Sequence, residues 1–268
     1  ERRRVVVTGF GAMTCLGRNV AETFAAARQG KSGLRFITNF DASNLPCRIA
    51  GEVDDSFLPQ APAIPQRLAK YSYRAVELMC AAADEAAAQS GLASAAARER
   101  IGCMVGTHGA DPTFAHMLKV HRHSDQEGRP DAAAVAAEGG YDFFQFYRRK
   151  PDVTTALIAD RYACFGPTLT IVSACAAGAQ AIGESVRAIR RGHADVMLCG
   201  GCEAPLTYAG FIGFVLLKAL CERFKTPETA SRPFDRRRNG FVMSEGAAAL
   251  VLEELAQRIA RPVAGVNA

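Results

Sequence analysis

The stretch Thr170-Ile171-Val172-Ser173-Ala174-Cys175-Ala176-Ala177-Gly178 passes from a short β-branched run, through small residues, into a helical pattern. A side chain at such a strand-to-helix turn is presented at the carboxyl edge of a sheet. A helix N-terminus against a sulfur favours thiolate over thiol. Small neighbours let backbone and substrate approach closely, and a backbone N–H at Cys175 is placed to donate to an oxyanion. The pattern describes an activated nucleophile for acyl transfer. Taken locally, it describes a buried structural cysteine at a packed helix start equally well.

Other chemistry-bearing residues favour plainer readings. Gly9-Phe10-Gly11 follows a strand, but Thr14 stands where a dinucleotide fingerprint needs its third glycine, so a tight strand-to-loop turn is expected. Cys199-Gly200-Gly201-Cys202 is a single CxxC with no second pair to complete a zinc site, and Cys199 closes an apolar strand. His116, His121 and His123 lack supporting cysteine or carboxylate spacing and read as solvated loop histidines. No metal and no cofactor are expected.

These residues need a frame. The chain has 268 residues, 49% of them hydrophobic and 22% charged, ordinary for a globular protein. Its nine cysteines follow no framework spacing and read as reduced thiols in a core. The net charge of +5 does not suggest nucleic acid and suits an acidic protein partner. No apolar stretch reaches membrane-spanning length: the run from Phe211 to Leu217 is short and contains Gly213. With no signal-peptide pattern, a cytoplasmic location is expected.

Periodicity predicts strands at residues 4–9, 100–106, 169–173, 195–199 and around 248–252. It predicts helices at 20–28, at 67–89 with Gly91 past the end, at 154–165, and at 176–191 with Gly192 at the C′ position. Residues 31–66 read as loop, and 107–150 as an irregular, partly basic and aromatic region with short helices. Alternating strands and helices predict a mainly parallel, doubly covered α/β sheet.

The stretch around Cys175 resembles the nucleophile motif of the β-ketoacyl-acyl carrier protein synthases, condensing enzymes of the thiolase-like fold. Further stretches agree in order. Val5-Val6-Val7-Thr8-Gly9-Phe10-Gly11 resembles the family's first strand and turn. Asp195-Val196-Met197-Leu198-Cys199-Gly200-Gly201-Cys202-Glu203-Ala204 resembles the strand and Gly-Gly turn after the nucleophile helix. Ser231-Arg232-Pro233-Phe234-Asp235 and Gly240-Phe241-Val242-Met243-Ser244-Glu245-Gly246-Ala247-Ala248 resemble the motifs closing the family's first half. Residues 107–165 match poorly, and Lys218-Ala219-Leu220-Cys221 stands where the family shows Arg-Ala-Leu-Ser.

The resemblance implies that residues 1–258 are the first pseudo-symmetric half of a thiolase-like fold, with an irregular insertion at about 107–165. Residues 259–268, with Pro262-Val263-Ala264-Gly265-Val266, would begin a truncated second half. Catalytic histidines, a lysine and a glycine-rich phenylalanine loop belong to that second half in the family. None of the histidines here sits in a matching motif. The implied chemistry is a decarboxylative condensation through an acyl thioester on Cys175, in fatty acid or polyketide-type synthesis. The implied partners are an acyl carrier protein, flanked by Arg67, Lys70, Arg148, Arg149, Lys150, Lys218 and Arg223, and a second subunit, identical or homologous. The alternatives are a non-catalytic or chain-length-controlling subunit, a fragment inactive on its own, and a degradative thiolase, which Arg232-Pro233-Phe234-Asp235 and Gly240-Phe241-Val242 argue against.

Overall fold

The computed structural model describes residues 3–58, 64–94, 97–139 and 143–260. Five strands form one sheet in the order β1-β7-β6-β4-β5: β1 (Val5–Thr14), β7 (Gly246–Glu254), β6 (Val196–Glu203), β4 (Ile101–Gly106) and β5 (Thr168–Ile171). The β6, β4 and β5 strands pair in parallel, while β7 is antiparallel to both of its neighbours. Four strands therefore run one way and β7 alone runs against them. β2 (Arg35–Phe36) and β3 (Ile49–Ala50) make a separate antiparallel pair.

Helices cover both faces. α1 (Val20–Arg28), α2 (Gln66–Ala69) and α3 (Arg74–Ser90) precede β4. α4 (Phe114–Arg122), α5 (Ala132–Ala137), α6 (Phe143–Arg148) and α7 (Pro151–Tyr162) lie between β4 and β5. α8 (Ala177–Arg190) follows β5, α9 (Tyr208–Leu216) follows β6, and α10 (Leu255–Ala260) follows β7. On one face α3 and α7 bury Leu78, Met79 and Ile158 against Val105, Leu198 and Val251. On the other, α8 buries Ala181, Ala188 and Ile189 against Met104, Met197 and Leu252. Burial on both faces is what a strand with a near-continuous apolar run requires, and β4 is buried at every position. A third cluster, around Phe211, Ile49 and Met243, anchors α9 beside the sheet.

Several elements differ from the sequence reading. β1 does not turn at Gly9 but runs on to Thr14. A Cβ on Gly9 would lie 2.0 Å from the Ala86 carbonyl oxygen, and one on Gly11 2.0 Å from that of Ala82. These glycines let α3 press onto the strand; they do not shape a loop. Gly200-Gly201 is likewise strand, because β6 extends to Glu203. The CxxC therefore straddles the sheet, with Cys199 in the α8-side core and Cys202 in the α3-side core.

The expected helix at 67–89 is broken into α2 and α3 at an extended Tyr73, whose hydroxyl meets Thr154 Oγ1 at 2.6 Å. Gly91 takes the left-handed conformation at the end of α3, as expected. The helix expected at 154–165 starts earlier, with Pro151 in its first turn, and ends where Ala163 turns left-handed. Residues expected as loop at 31–66 contain β2, β3 and the start of α2. His116 and His121 lie on α4, with His123 at its C-cap, so they are helix and not loop residues. His123 Nε2 meets Glu138 Oε2 at 2.6 Å. Arg258, where the first half is expected to end, lies on α10, and Pro262 to Val266 lie outside the described residues.

Candidate active site

β5 ends at Ile171, whose carbonyl accepts from Thr107 N at 3.2 Å. The chain then turns sharply. Ala174 has φ of 49°, a left-handed conformation that an L-residue adopts at a cost of about 1–2 kcal/mol. Cys175 sits in the single 3₁₀ turn Ala174–Ala176, closed by Ala176 N donating to Ser173 O at 3.1 Å. α8 begins at Ala177, and Gly192 is left-handed just beyond its far end. A strained, non-glycine turn between strand and helix is the geometry that lifts a nucleophile above a sheet edge.

The small residues around Cys175 have a measurable purpose. Gly106 ends β4, and a Cβ there would lie 2.3 Å from the Ala177 carbonyl carbon. A Cβ on Gly201 would lie 3.0 Å from Gly178 Cα. The first turn of α8 thus rests directly on the backbones of β4 and β6, which fixes the height of Cys175 above the sheet.

Cys175 is exposed and opens into a pocket of about 500 Å³. One wall is apolar, with Phe214 from α9 and Phe241, Val242 and Met243 from the segment leading into β7. Another is polar, with His108, Asp111 and Glu203. The His108 N–H donates to Glu203 Oε1 at 2.6 Å. The imidazole Nδ1 lies 3.5 Å from Glu203 Oε2, and Nε2 lies 3.6 Å from Asp111 Oδ1. Burial pushes the carboxyl groups of both Asp111 and Glu203 upward, opposed in each case by His108.

The other thiols differ. Cys47, Cys80, Cys103, Cys164, Cys199, Cys202 and Cys221 are buried, and Cys15 is half-buried. Burial pushes Cys80 and Cys199 each up to about 12, where the thiol stays protonated. Among the described residues no cluster of side chains is arranged to hold a metal ion.

The sequence reading singled out Cys175 and did not place His108, Asp111 or Glu203 beside it, as the pocket does. The signal was present in position: His108 lies two residues past the end of β4, and Glu203 is the last residue of the parallel neighbour β6. Both therefore sit at the carboxyl edge that carries Cys175, where open α/β sheets bind ligands.

Five of the expected docking residues lie on or just past α2 and α6. Arg148, on α6, donates its Nε to the Lys70 carbonyl just past α2 at 2.9 Å. The Lys70 ammonium lies 5.0 Å from the Phe144 ring centroid, and the Lys150 ammonium lies 4.8 Å from that of Phe146. Arg67 faces Asp160 at 3.4 Å, and Arg149 is exposed. Lys218 and Arg223 lie apart in sequence, beyond α9, where Ala219 O accepts from Phe241 N at 3.0 Å. Both are exposed.

The chain is similar to the 3-oxoacyl-[acyl-carrier-protein] synthase 2 of Synechocystis, with 34% identity over 97% of this chain and 60% of that protein. Its fold matches the ishigamide ketosynthase/chain length factor with a TM-score of 0.76 at 31% identity, covering 97% of this chain and 60% of that one. It also matches a type II polyketide synthase acyl-carrier protein in complex with its ketosynthase bound to the hexaketide, with a TM-score of 0.77 at 26% identity, again covering 97% and 60%. The chain thus spans about 60% of the length of these relatives. The pattern described as the β-ketoacyl synthase N-terminal domain is matched from residue 2 to residue 258, and the chain belongs to that family.

Proposed function

We propose that this chain supplies the nucleophile of a β-ketoacyl-acyl carrier protein synthase working in fatty acid or polyketide-type synthesis. The Cys175 thiolate attacks an acyl-carrier thioester, forms an acyl thioester on its own sulfur and releases the carrier thiol. Malonyl carrier protein enters next and loses CO2. The resulting enolate attacks the Cys175 thioester, giving β-ketoacyl carrier protein and returning the thiolate. The Cys175 N–H donates to the oxyanion during acyl transfer. The observation that carries this reading is the single exposed thiol at the head of α8, opening into a chain-sized pocket while seven other cysteines are buried.

Retention of this exposed thiol speaks against the non-catalytic, chain-length-controlling alternative. The domain reading keeps residues 1–258 as a first half with its insertion at about 107–165, and 259–268 as the opening of a second half. A cytoplasmic setting is supported by cysteines that are all unpaired. No helix among the described residues is long and apolar enough to cross a membrane.

Two partners belong to the proposal. The basic, aromatic-backed surface of Arg67, Lys70, Arg148, Arg149 and Lys150, with Lys218 and Arg223 on a separate element, suits an acidic carrier protein. β5 is the outer strand of the sheet, with Leu169 47% exposed and, just beyond it, Val172 60% exposed. An unpaired apolar edge favours a partner strand, from an identical or a homologous subunit.

The deciding experiment is peptide mass spectrometry of the natural gene product after incubation with acyl carrier protein loaded with an acyl group. The adduct is expected on Cys175. An adduct on Cys15, with Cys175 unmodified, would overturn the assignment.

A further inference from the structure

The pocket at Cys175 is not built for a uniformly apolar occupant. Phe214, Phe241 and Met243 face an acyl chain with hydrocarbon, but His108, Asp111 and Glu203 share the same space. Each imidazole nitrogen faces a carboxylate, Nδ1 with Glu203 Oε2 at 3.5 Å and Nε2 with Asp111 Oδ1 at 3.6 Å, contacts longer than an ordinary hydrogen bond and correspondingly weak. The His108 side chain is 56% exposed, so it still reaches the pocket's solvent, whereas Asp111 is only 18% exposed. The cluster therefore brings exposed polar groups, only weakly held by one another, to the cavity wall. A saturated chain lying along it would strip its water and return nothing, and removing a polar group's partner is the costly side of hydrogen-bond energetics.

We infer that His108, flanked by Glu203 and Asp111, is a specificity-determining residue that favours acyl chains bearing a hydroxyl or keto oxygen over saturated chains. This rests on the reading of Cys175 as the acyl-bearing residue. The oxygen of such a chain takes the place of the displaced water on the imidazole, while the hydrocarbon lies on Phe214 and Phe241. The backbone bond from His108 to Glu203 anchors the loop, and the two carboxylates that face the imidazole keep the ring at the pocket. A site built to bond a substrate oxygen discriminates more strongly than an apolar pocket does by size.

The test uses the natural gene product and N-acetylcysteamine thioesters of octanoyl, β-hydroxyoctanoyl and δ-hydroxyoctanoyl groups. The rate of adduct formation on Cys175 is followed by peptide mass spectrometry. At least one hydroxylated chain is expected to react about tenfold faster than octanoyl. In His108→Leu that ratio falls to near one, and in His108→Gln, which keeps a donor and an acceptor, it is largely restored. A ratio near one in the unaltered protein, or one that survives His108→Leu, overturns the inference. Absence of any adduct on Cys175 with all three probes instead removes the acyl-enzyme reading beneath it.

Discussion

Arg74 grips Glu245 with two parallel bonds, Nε to Oε2 and Nη2 to Oε1, both 2.7 Å long. The Glu245 side chain is fully buried, and its Oε1 also accepts from Val53 N at 3.0 Å. Arg74 opens α3, and Glu245 directly follows Met243 and Ser244, which line the Cys175 pocket. The pair therefore ties a core helix to the wall of the site.

Removing one partner of such a pair leaves an uncompensated buried charge. Arg74→Ala should lower stability by about 3–5 kcal/mol, read as a shift in the urea midpoint. Arg74→Lys should recover only part of it, because an ammonium cannot reproduce the two-pronged geometry. An unchanged midpoint in Arg74→Ala would contradict the structural role.

Gly106→Ala tests the seating of α8. The new Cβ would fall 2.3 Å from backbone, not from a side chain that can rotate away. Either β4 or the first turn of α8 must shift, and Cys175 moves with it. We expect a loss of roughly 1–3 kcal/mol in stability and a disproportionate fall in Cys175 acylation. Normal acylation in a folded variant would show that the helix start tolerates displacement.

Asp195 gives a pH prediction. Hydrogen bonds from Arg100, then from Arg3, hold its carboxyl below the ordinary carboxylate range despite partial burial. A folded-state value below the unfolded one means that the unfolded chain binds the proton more readily. Its contribution is therefore complete above about pH 4, the unfolded value, and lost as pH falls below that. In Asp195→Asn, stability should be lower near neutrality, and the part of the acid-induced loss due to Asp195 should vanish. Parallel stability curves for the variant and the parent from neutrality down to about pH 3 would refute this.

Carrier-protein docking is best tested at Arg149 and Lys150. Arg148 is a poor choice, because its bond to the Lys70 carbonyl joins α6 to the end of α2 and reversal there would disturb folding as well. Arg149→Glu with Lys150→Glu should weaken acylation from carrier protein and flatten its salt dependence, with acylation from a small thioester retained. Equal loss with both donors would point to a folding defect.

A chain limited to residues 1–268 should yield no β-ketoacyl product from malonyl carrier protein, even if Cys175 is acylated. Enolate donors of the kind the family supplies from its second half are worth about 10²–10³ in rate each. Among the described histidines, His108 lines the Cys175 pocket and the others do not. Normal turnover by this chain would therefore single out His108 as a stand-in donor.

The sequence by itself determined the local devices. The β-branched run, the small residues and the helical period around Cys175 specify a strand, a turn and a helix within a few residues of one another. Gly91 and Gly192 mark helix ends because only glycine takes the left-handed conformation freely there. These signals involve neighbours along the chain, where periodicity and capping rules apply. Gly9 and Gly201 looked like turn residues by the same rules, and only the packing of α3 and α8 against the sheet shows them to be contact points.

Tertiary structure alone decided the composition of the pocket. His108 and Glu203 are far apart in sequence and meet because β4 and β6 pair in parallel, with Gly106 opposite Gly201. The pairing of β4 with β5 sets Gly106 beside Ile171 as well, which brings Cys175 to the same edge. Strand order and register are set by which apolar faces can be buried together across the whole sheet, and that is a property of all five strands at once, which no single stretch of sequence carries.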